Sequence, residues 1–148
     1  MALSGGKVKS MSRAKILVVD DEDEIVQALT LRLKSAGYDL ISANNSSQAM
    51  LLATRHLPDL VILDIRMPSG NGHIVAHKLL HQHATSIIPI IFLTASTSEA
   101  DRKKAFEVEP VAYLNKPFKS GELLAVVTRA LVISQHMRAH ALCDWQIM

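Results

Sequence analysis

Three short runs, "ILVV" at 16–19, "LVIL" at 60–63 and "PIIFLT" at 89–94, are almost continuously apolar and rich in β-branched residues. An alternating strand leaves one face to water, whereas a continuous run has to be covered on both faces. Between these runs the apolar spacing changes to that of a helix. Ile25, Leu29 and Leu33 recur every four residues between Glu24 and Ala36, which makes one helical face. Asp21 to Asp23 are expected to cap this helix and meet its dipole, and Gly37 to stop it. "YDLISA" (38–43) reads as a second strand and "NNSSQAMLLATRH" (44–56) as a capped helix ended by Pro58. Residues 72–83 read as a third helix, Ser96 to Glu109 as a weaker and more polar one, and "VAYLN" (111–115) as the last strand. A final helix is expected from about Ser120 to at least Ser134. Such alternation requires a parallel sheet with helices on both faces. Right-handed crossovers then leave a five-stranded doubly wound α/β sheet as the natural topology.

The chain has 148 residues, which suits one core rather than two. Three parts are expected: a flexible leader over 1–13, a folded domain over 14–135, and an extension of the last helix or a tail over 136–148. The formal net charge is only +2, and the basic residues are scattered, which argues against direct nucleic-acid binding. Cys143 is the only cysteine, so an internal disulfide is excluded and a reducing compartment is expected. No apolar run approaches the roughly 20 residues that cross a bilayer, and the first residues lack a signal peptide's apolar stretch. A soluble, cytoplasmic domain is expected.

In a doubly wound sheet, ligands sit outside the carboxyl ends of the strands, where the strand order reverses. The residues at those ends are Asp20 and Asp21, Asp64, Thr94 and Lys116. Singly, each has a plain structural role: Asp20, Asp21 and Asp64 as helix caps, Thr94 as a strand residue, Lys116 as a solvated loop lysine. Jointly, five such residues at successive strand ends are hard to attribute to chance. Two carboxylates ~4 Å apart repel by about 4 kcal/mol at an effective dielectric near 20, so the cluster should hold protons or a cation. All-oxygen ligands at a partly open edge suit Mg²⁺, whereas zinc would want His or Cys nearby. With a metal and a lysine present, a carboxylate becomes a candidate phosphoryl acceptor.

The segments "ILVVDDE" (16–22), "LVILDIRMPSGNG" (60–72), "IIFLTAS" (90–96) and "YLNKPF" (113–118), in order and at successive strand ends, resemble the receiver domain of two-component response regulators. The likeness covers roughly residues 14–134. It implies a flavodoxin-like sandwich of strand order 2-1-3-4-5 with five helices, in which the strand order reverses between the first and third strands. It further implies that Asp64 takes a phosphoryl group from the phosphohistidine of a histidine kinase. Asp20, Asp21, Asp64 and the backbone carbonyl of Arg66 would hold Mg²⁺, with Mn²⁺ as a substitute. Thr94, Lys116 and the Ala95 backbone would bind the phosphoryl group, Thr94 and Tyr113 would form the switch, and Lys116–Pro117 would be a cis peptide. The output would be a changed face made by the fourth helix, fifth strand and fifth helix, read by a partner protein or output domain.

Some residues depart from the family pattern. Glu109–Pro110 stands where a Gly-Ala pair is usual, and Ser69-Gly70-Asn71 replaces a more usual apolar-acidic pattern. Arg66 lies two positions after Asp64, where its side chain is expected to cover the phosphoryl group and influence its loss. His73, His77 and His81 share one helical face, which reads first as a solvated face and second as a transition-metal site. "LLAVVTRALVI" (123–133) is more apolar than one buried stripe requires, which favours an interface with a partner or a second copy. Trp145 and Ile147 are expected to want some apolar contact. A diffusible regulator, a phosphorelay intermediate passing its group to a histidine phosphotransfer protein, part of a longer regulator and a phosphate-independent receiver-like module all fit. From another class, Asp21-Glu22-Asp23 has the Asp-x-Asp form of haloacid dehalogenase-type phosphohydrolases, with Asp21 as nucleophile. That reading leaves Asp64 and its Met-Pro unexplained.

Overall fold

The computed structural model describes residues 13–68 and 71–147, with side chains through His140. Five strands, β1 (Lys15–Val19), β2 (Asp39–Ala43), β3 (Leu60–Leu63), β4 (Ile90–Thr94) and β5 (Ala112–Asn115), pair in parallel in the order β2-β1-β3-β4-β5. They alternate with α1 (Asp23–Ser35), α2 (Ser46–His56), α3 (Gly72–His81), α4 (Glu99–Phe106) and α5 (Ser120–Ile147). The apolar runs explain the layering. Ile16, Val18, Leu60, Ile62, Ile91 and Leu93 pack on α1 and α5 through Leu29, Leu33, Leu123 and Val127. Their neighbours Leu17, Val19, Val61, Leu63 and Phe92 point the other way, to Ala49 and Ala53 of α2, Val75 and Leu79 of α3, and Ala105 of α4. β1, β3 and β4 are therefore buried on both sides, as their composition demands.

Several boundaries differ from the expected ones, each for a local reason. α1 is not capped by an aspartate side chain. Its N-cap is Glu22, without a side-chain cap bond: the Glu22 carboxylate is turned to the Lys116 ammonium, while the Glu22 N–H donates to Asp20 Oδ1 at 2.9 Å. Gly37, at φ +98°, ends the helix in a conformation that favours glycine. α2 is capped as expected: Asn45 Oδ1 accepts from the Gln48 N–H at 2.8 Å, and Gln48 Oε1 accepts from the Asn44 N–H. α3 stops at His81 rather than residue 83. Gln82 is extended, and a 3₁₀ turn over His83–Thr85 follows, fixed by Thr85 Oγ1 donating to the Leu79 carbonyl at 2.7 Å. α4 is shorter at both ends than 96–109. Ser98 caps it by accepting from the Asp101 N–H, and Glu109 has φ +51° ahead of Pro110, outside the right-handed helical region.

α5 runs 28 residues, about 42 Å at 1.5 Å per residue. Leu123, Val127, Ala130, Leu131 and Ser134 form its buried stripe, while Val132, Ile133 and Met137 stay exposed. Past the sheet, Arg138 ties it down. Its Nη1 lies 2.7 Å from Asp59 Oδ1, and its Nη2 donates to the carbonyls of Leu57 and Pro58. Residues 1–12 of the expected leader, Ser69 and Gly70, and the side chains of Cys143, Trp145 and Ile147 lie outside the described residues.

Candidate functional site

The strand ladder places the acidic residues side by side. Val19 is level with Leu63, and the next rung is the Asp64 N–H donating to the Val19 carbonyl at 2.9 Å. Asp20 is anchored on the other side by its N–H donating to the Ala43 carbonyl. Carboxylate oxygens of Asp20, Asp21 and Asp64 come within 4.8 Å of one another. Asp20 and Asp64 are buried and Asp21 is exposed, so the cluster opens to solvent on one side. A cleft of about 580 Å³ lies over it, lined by Asp21, Glu22, Asp64, Arg66 and the segment Thr94 to Ser98.

Lys116 enters from the β5 end, where its N–H donates to the Thr94 carbonyl at 2.9 Å. Its ammonium lies 2.8 Å from Asp20 Oδ2, 3.0 Å from Asp64 Oδ2 and 2.7 Å from Glu22 Oε1. Only 7 % of the side chain is exposed. Burial alone would push its pKa down, but hydrogen bonds to the three carboxylates outweigh burial and hold it above the ordinary lysine range. Asp20 is pushed up, by burial first and by the neighbouring Asp64 charge, against the opposing pull of Lys116. The lysine therefore stays cationic beside an Asp20 whose pKa burial raises and the lysine itself pulls back. The Lys116–Pro117 peptide is cis.

The remaining site residues expected from sequence lie around the same cleft. Thr94 is fully buried, and its Oγ1 accepts from the Ser96 N–H at 3.2 Å. Ala95 is exposed at the cleft wall. Tyr113 stands behind Thr94 on the next strand, its ring 6.0 Å from Phe106 and 6.2 Å from Phe92. Its hydroxyl is buried with no hydrogen-bond partner among the described residues, and burial raises its pKa. Arg66 departs from expectation. Its side chain does not bend over Asp64 but turns to α4, where Nε lies 2.7 Å from Asp101 Oδ2. A carboxylate as buried as Asp101 needs a cation and donors, and it also accepts from Ser96 Oγ at 2.6 Å. These two, Ser96 foremost, hold its pKa below the usual carboxylate value.

Glu22, Ser96 and Asp101 are the site neighbours that sequence reasoning misses. Glu22 is legible as the third acid of "DDE", although its place after the strand suggests only a cap. Asp101 sits in a polar helix with nothing in its spacing to mark it.

The histidine face is not uniformly solvated. His73 is buried, with Nδ1 unpartnered among the described residues and its pKa lowered, by burial first and then by Lys104. His77 and His81 stack at 6.0 Å, and His77 lies 3.4 Å from Glu107. The three do not converge as metal ligands; among the described residues only Asp20, Asp21 and Asp64 do.

A five-stranded 2-1-3-4-5 sheet with this acidic cluster and lysine at its switch point defines a receiver. Residues 16–128 match the response regulator receiver domain family, and the chain belongs to it. That membership selects the receiver over the phosphohydrolase reading. Relatives include a probable transcriptional regulator ycf27 of Porphyridium aerugineum, 40% identical over 82% of this chain and 49% of that protein. Another is the alkaline phosphatase synthesis transcriptional regulatory protein PhoP of Bacillus subtilis, 38% identical over 79% and 48%. The chain thus spans about half the length of these relatives. Among solved structures, chemotaxis protein CheY4 of Vibrio cholerae superposes with a TM-score of 0.75 at 31% identity, over 81% of this chain and 100% of that one. The receiver domain of an HD domain-containing protein from Pseudomonas fluorescens gives 0.81 at 30%, over 86% and 93%. No helix among the described residues is long and apolar enough to cross a membrane.

Proposed function

We propose that Asp64 is the phosphoacceptor and takes its phosphoryl group from the phosphohistidine of a sensor histidine kinase or a histidine phosphotransfer protein. The observation that carries this is the Lys116 ammonium held within 3.0 Å of Asp64 Oδ2 under an open cleft. A carboxylate oxygen attacks phosphorus, the bond from phosphorus to the histidine nitrogen breaks, and the nitrogen leaves with the electron pair. Lys116 neutralises negative charge on the phosphoryl oxygens, while the Thr94 hydroxyl and the Ala95 N–H donate to them.

Asp20, Asp21, Asp64 and the Arg66 carbonyl are the groups that would hold Mg²⁺, or Mn²⁺ in its place; the mutual repulsion of the carboxylates supports a cation there. That ion, when bound, supplies the rest of the charge neutralisation. Thr94 turning to the phosphoryl group vacates the space into which Tyr113 moves, and the face formed by α4, β5 and α5 changes for a partner or output domain. The Tyr113 hydroxyl, without a hydrogen-bond partner among the described residues, supports a side chain with a second position to occupy. The domain over 14–135 works as a cytoplasmic signalling unit whose chemistry is its own phosphorylation and dephosphorylation. A homodimer through the exposed apolar side of α5 is one form its output can take.

The test is intact-mass analysis after incubation with Mg²⁺ and acetyl phosphate, beside a metal-free sample and Asp64→Ala. Gain of one phosphoryl group only in the complete reaction is expected. No gain from acetyl phosphate or from a phosphorylated kinase would overturn the reading.

A further inference from the structure

We propose that Arg66 and Asp101 form a latch that holds α4 in its unphosphorylated position, and that a phosphoryl group on Asp64 opens it by drawing Arg66 away. The inference rests on Asp64 as phosphoacceptor and adds how the site reaches α4. Arg66 follows β3 and Asp101 lies in the first turn of α4, 35 residues apart in sequence. Arg66 lines the cleft together with Asp64 and Thr94, and its ion pair leads from that cleft to α4. α4 has little else to hold it: Asp101 and Ala105 are its only buried residues, and Phe106 is 45 % exposed. At its α4 end the polar anchor is a closed chain of hydrogen bonds. Asp101 Oδ2 takes both Arg66 and Ser96 Oγ, Ser96 Oγ accepts from the Ser98 N–H, and Ser98 Oγ accepts from the Asp101 N–H.

At the arginine end the contact is easily exchanged. It uses Nε, while the side chain is 64 % exposed, so the two-pronged face of the guanidinium remains for a better acceptor. Arg66 already reaches Asp64 through its backbone, its N–H donating to Oδ1 at 3.3 Å. An acyl phosphate there carries about −1.5 to −2 charges in place of the carboxylate's single one and offers three strong acceptor oxygens, which suit the guanidinium fork better than one carboxylate oxygen does. Once Arg66 leaves, Asp101 is a buried carboxylate without its cation, and the first turn of α4 loses its tie to β3. The adjacent Arg102 carries the change onward, because its guanidinium lies 5.2 Å from the centres of both the Phe106 and Tyr113 rings. The latch therefore joins the phosphoryl site to Tyr113 through α4, alongside the route through Thr94.

Amide hydrogen exchange of the full chain tests this, comparing wild type, Arg66→Gln, Asp101→Asn and the double variant, each with and without Mg²⁺ and beryllofluoride as the phosphoryl mimic. Exchange in β1 and β3 serves as an internal control for folding. Each single substitution should speed exchange across residues 99–107 roughly two- to fivefold, the range an ion pair of this exposure supports. The double variant should be no faster than either single one, and beryllofluoride should loosen α4 in wild type but add clearly less in the variants, where only the route through Thr94 remains. Additive effects, or unchanged α4 exchange in either single variant, would overturn the latch. So would beryllofluoride-loaded wild type with α4 exchanging as before. If neither acetyl phosphate nor a phosphorylated kinase, given to the same protein in parallel, puts a phosphoryl group on Asp64, the phosphoacceptor reading falls and the latch falls with it as a phosphorylation-driven device.

Discussion

Gly72 shows how tightly single residues are specified around Asp64. Its N–H donates to the Ile65 carbonyl at 2.7 Å, and a Cβ added there would fall on the Asp64 carbonyl oxygen. Backbone cannot yield as a flexible side chain would, so Gly72→Ala should cost about 1–3 kcal/mol and slow phosphorylation of Asp64; urea unfolding and acetyl phosphate labelling check both. The acidic cluster makes the opposite prediction. Asp20 is buried beside Asp64 with its pKa raised, so its ionised form opposes folding at neutral pH. Asn at position 20 keeps an oxygen for the Glu22 N–H and loses the charge. Asp20→Asn should therefore gain about 0.5–2 kcal/mol of stability while weakening Mg²⁺ binding, measured by denaturation and calorimetric titration. His73 sets a pH dependence. Its folded pKa lies below the ordinary histidine value of 6.5, so the unfolded chain takes the proton first as pH falls. Stability should be constant above about pH 7 and decline below 6.5 towards the folded pKa, and His73→Leu should flatten that decline in urea titrations.

Among the elements, α5 has the clearest division between what packs and what is pinned. Its first half packs on the sheet through Leu123, Val127 and Ala130, but Arg138 reaches Asp59, whose other oxygen accepts from the Lys15 N–H at 2.8 Å. Partly exposed pairs of this kind contribute little singly, and the two carbonyl contacts add to it. Arg138→Met should lower global stability by about 0.5–1 kcal/mol and speed exchange in residues 135–140 much more than in 123–131. The strands are legible in the sequence because a two-faced core leaves a continuous apolar signature in Ile16–Val19 and Leu60–Leu63. The ends of α3 and α4 are less so: Thr85 reaching back to Leu79 and Ser96 turning to Asp101 are contacts that no local pattern announces. The site divides in the same way. Asp20, Asp21, Asp64, Thr94 and Lys116 are readable because topology puts every strand end on one edge. The direction of the Arg66 side chain is not, because its partner lies on another element.

For the whole molecule, the doubly wound order explains why acids separated by more than forty residues share one lysine. The crossover that places β1 beside β3 puts Asp20 next to Asp64, and β5 at the edge brings Lys116 across from the far side. The helices α2, α3 and α4 lie on one face and α1 and α5 on the other, so a change at the cleft can reach α4 on one side and β5 at the edge. Among the carboxylates of the cluster, Asp64 alone should take the phosphoryl group. Trapping the acyl phosphate with borohydride after acetyl phosphate treatment, then locating the reduced residue by tandem mass spectrometry, tests this most directly. Reduction confined to Asp64 and lost without Mg²⁺ is the predicted result. Reduction at Asp20 or Asp21, with Asp64 unmodified, would contradict it.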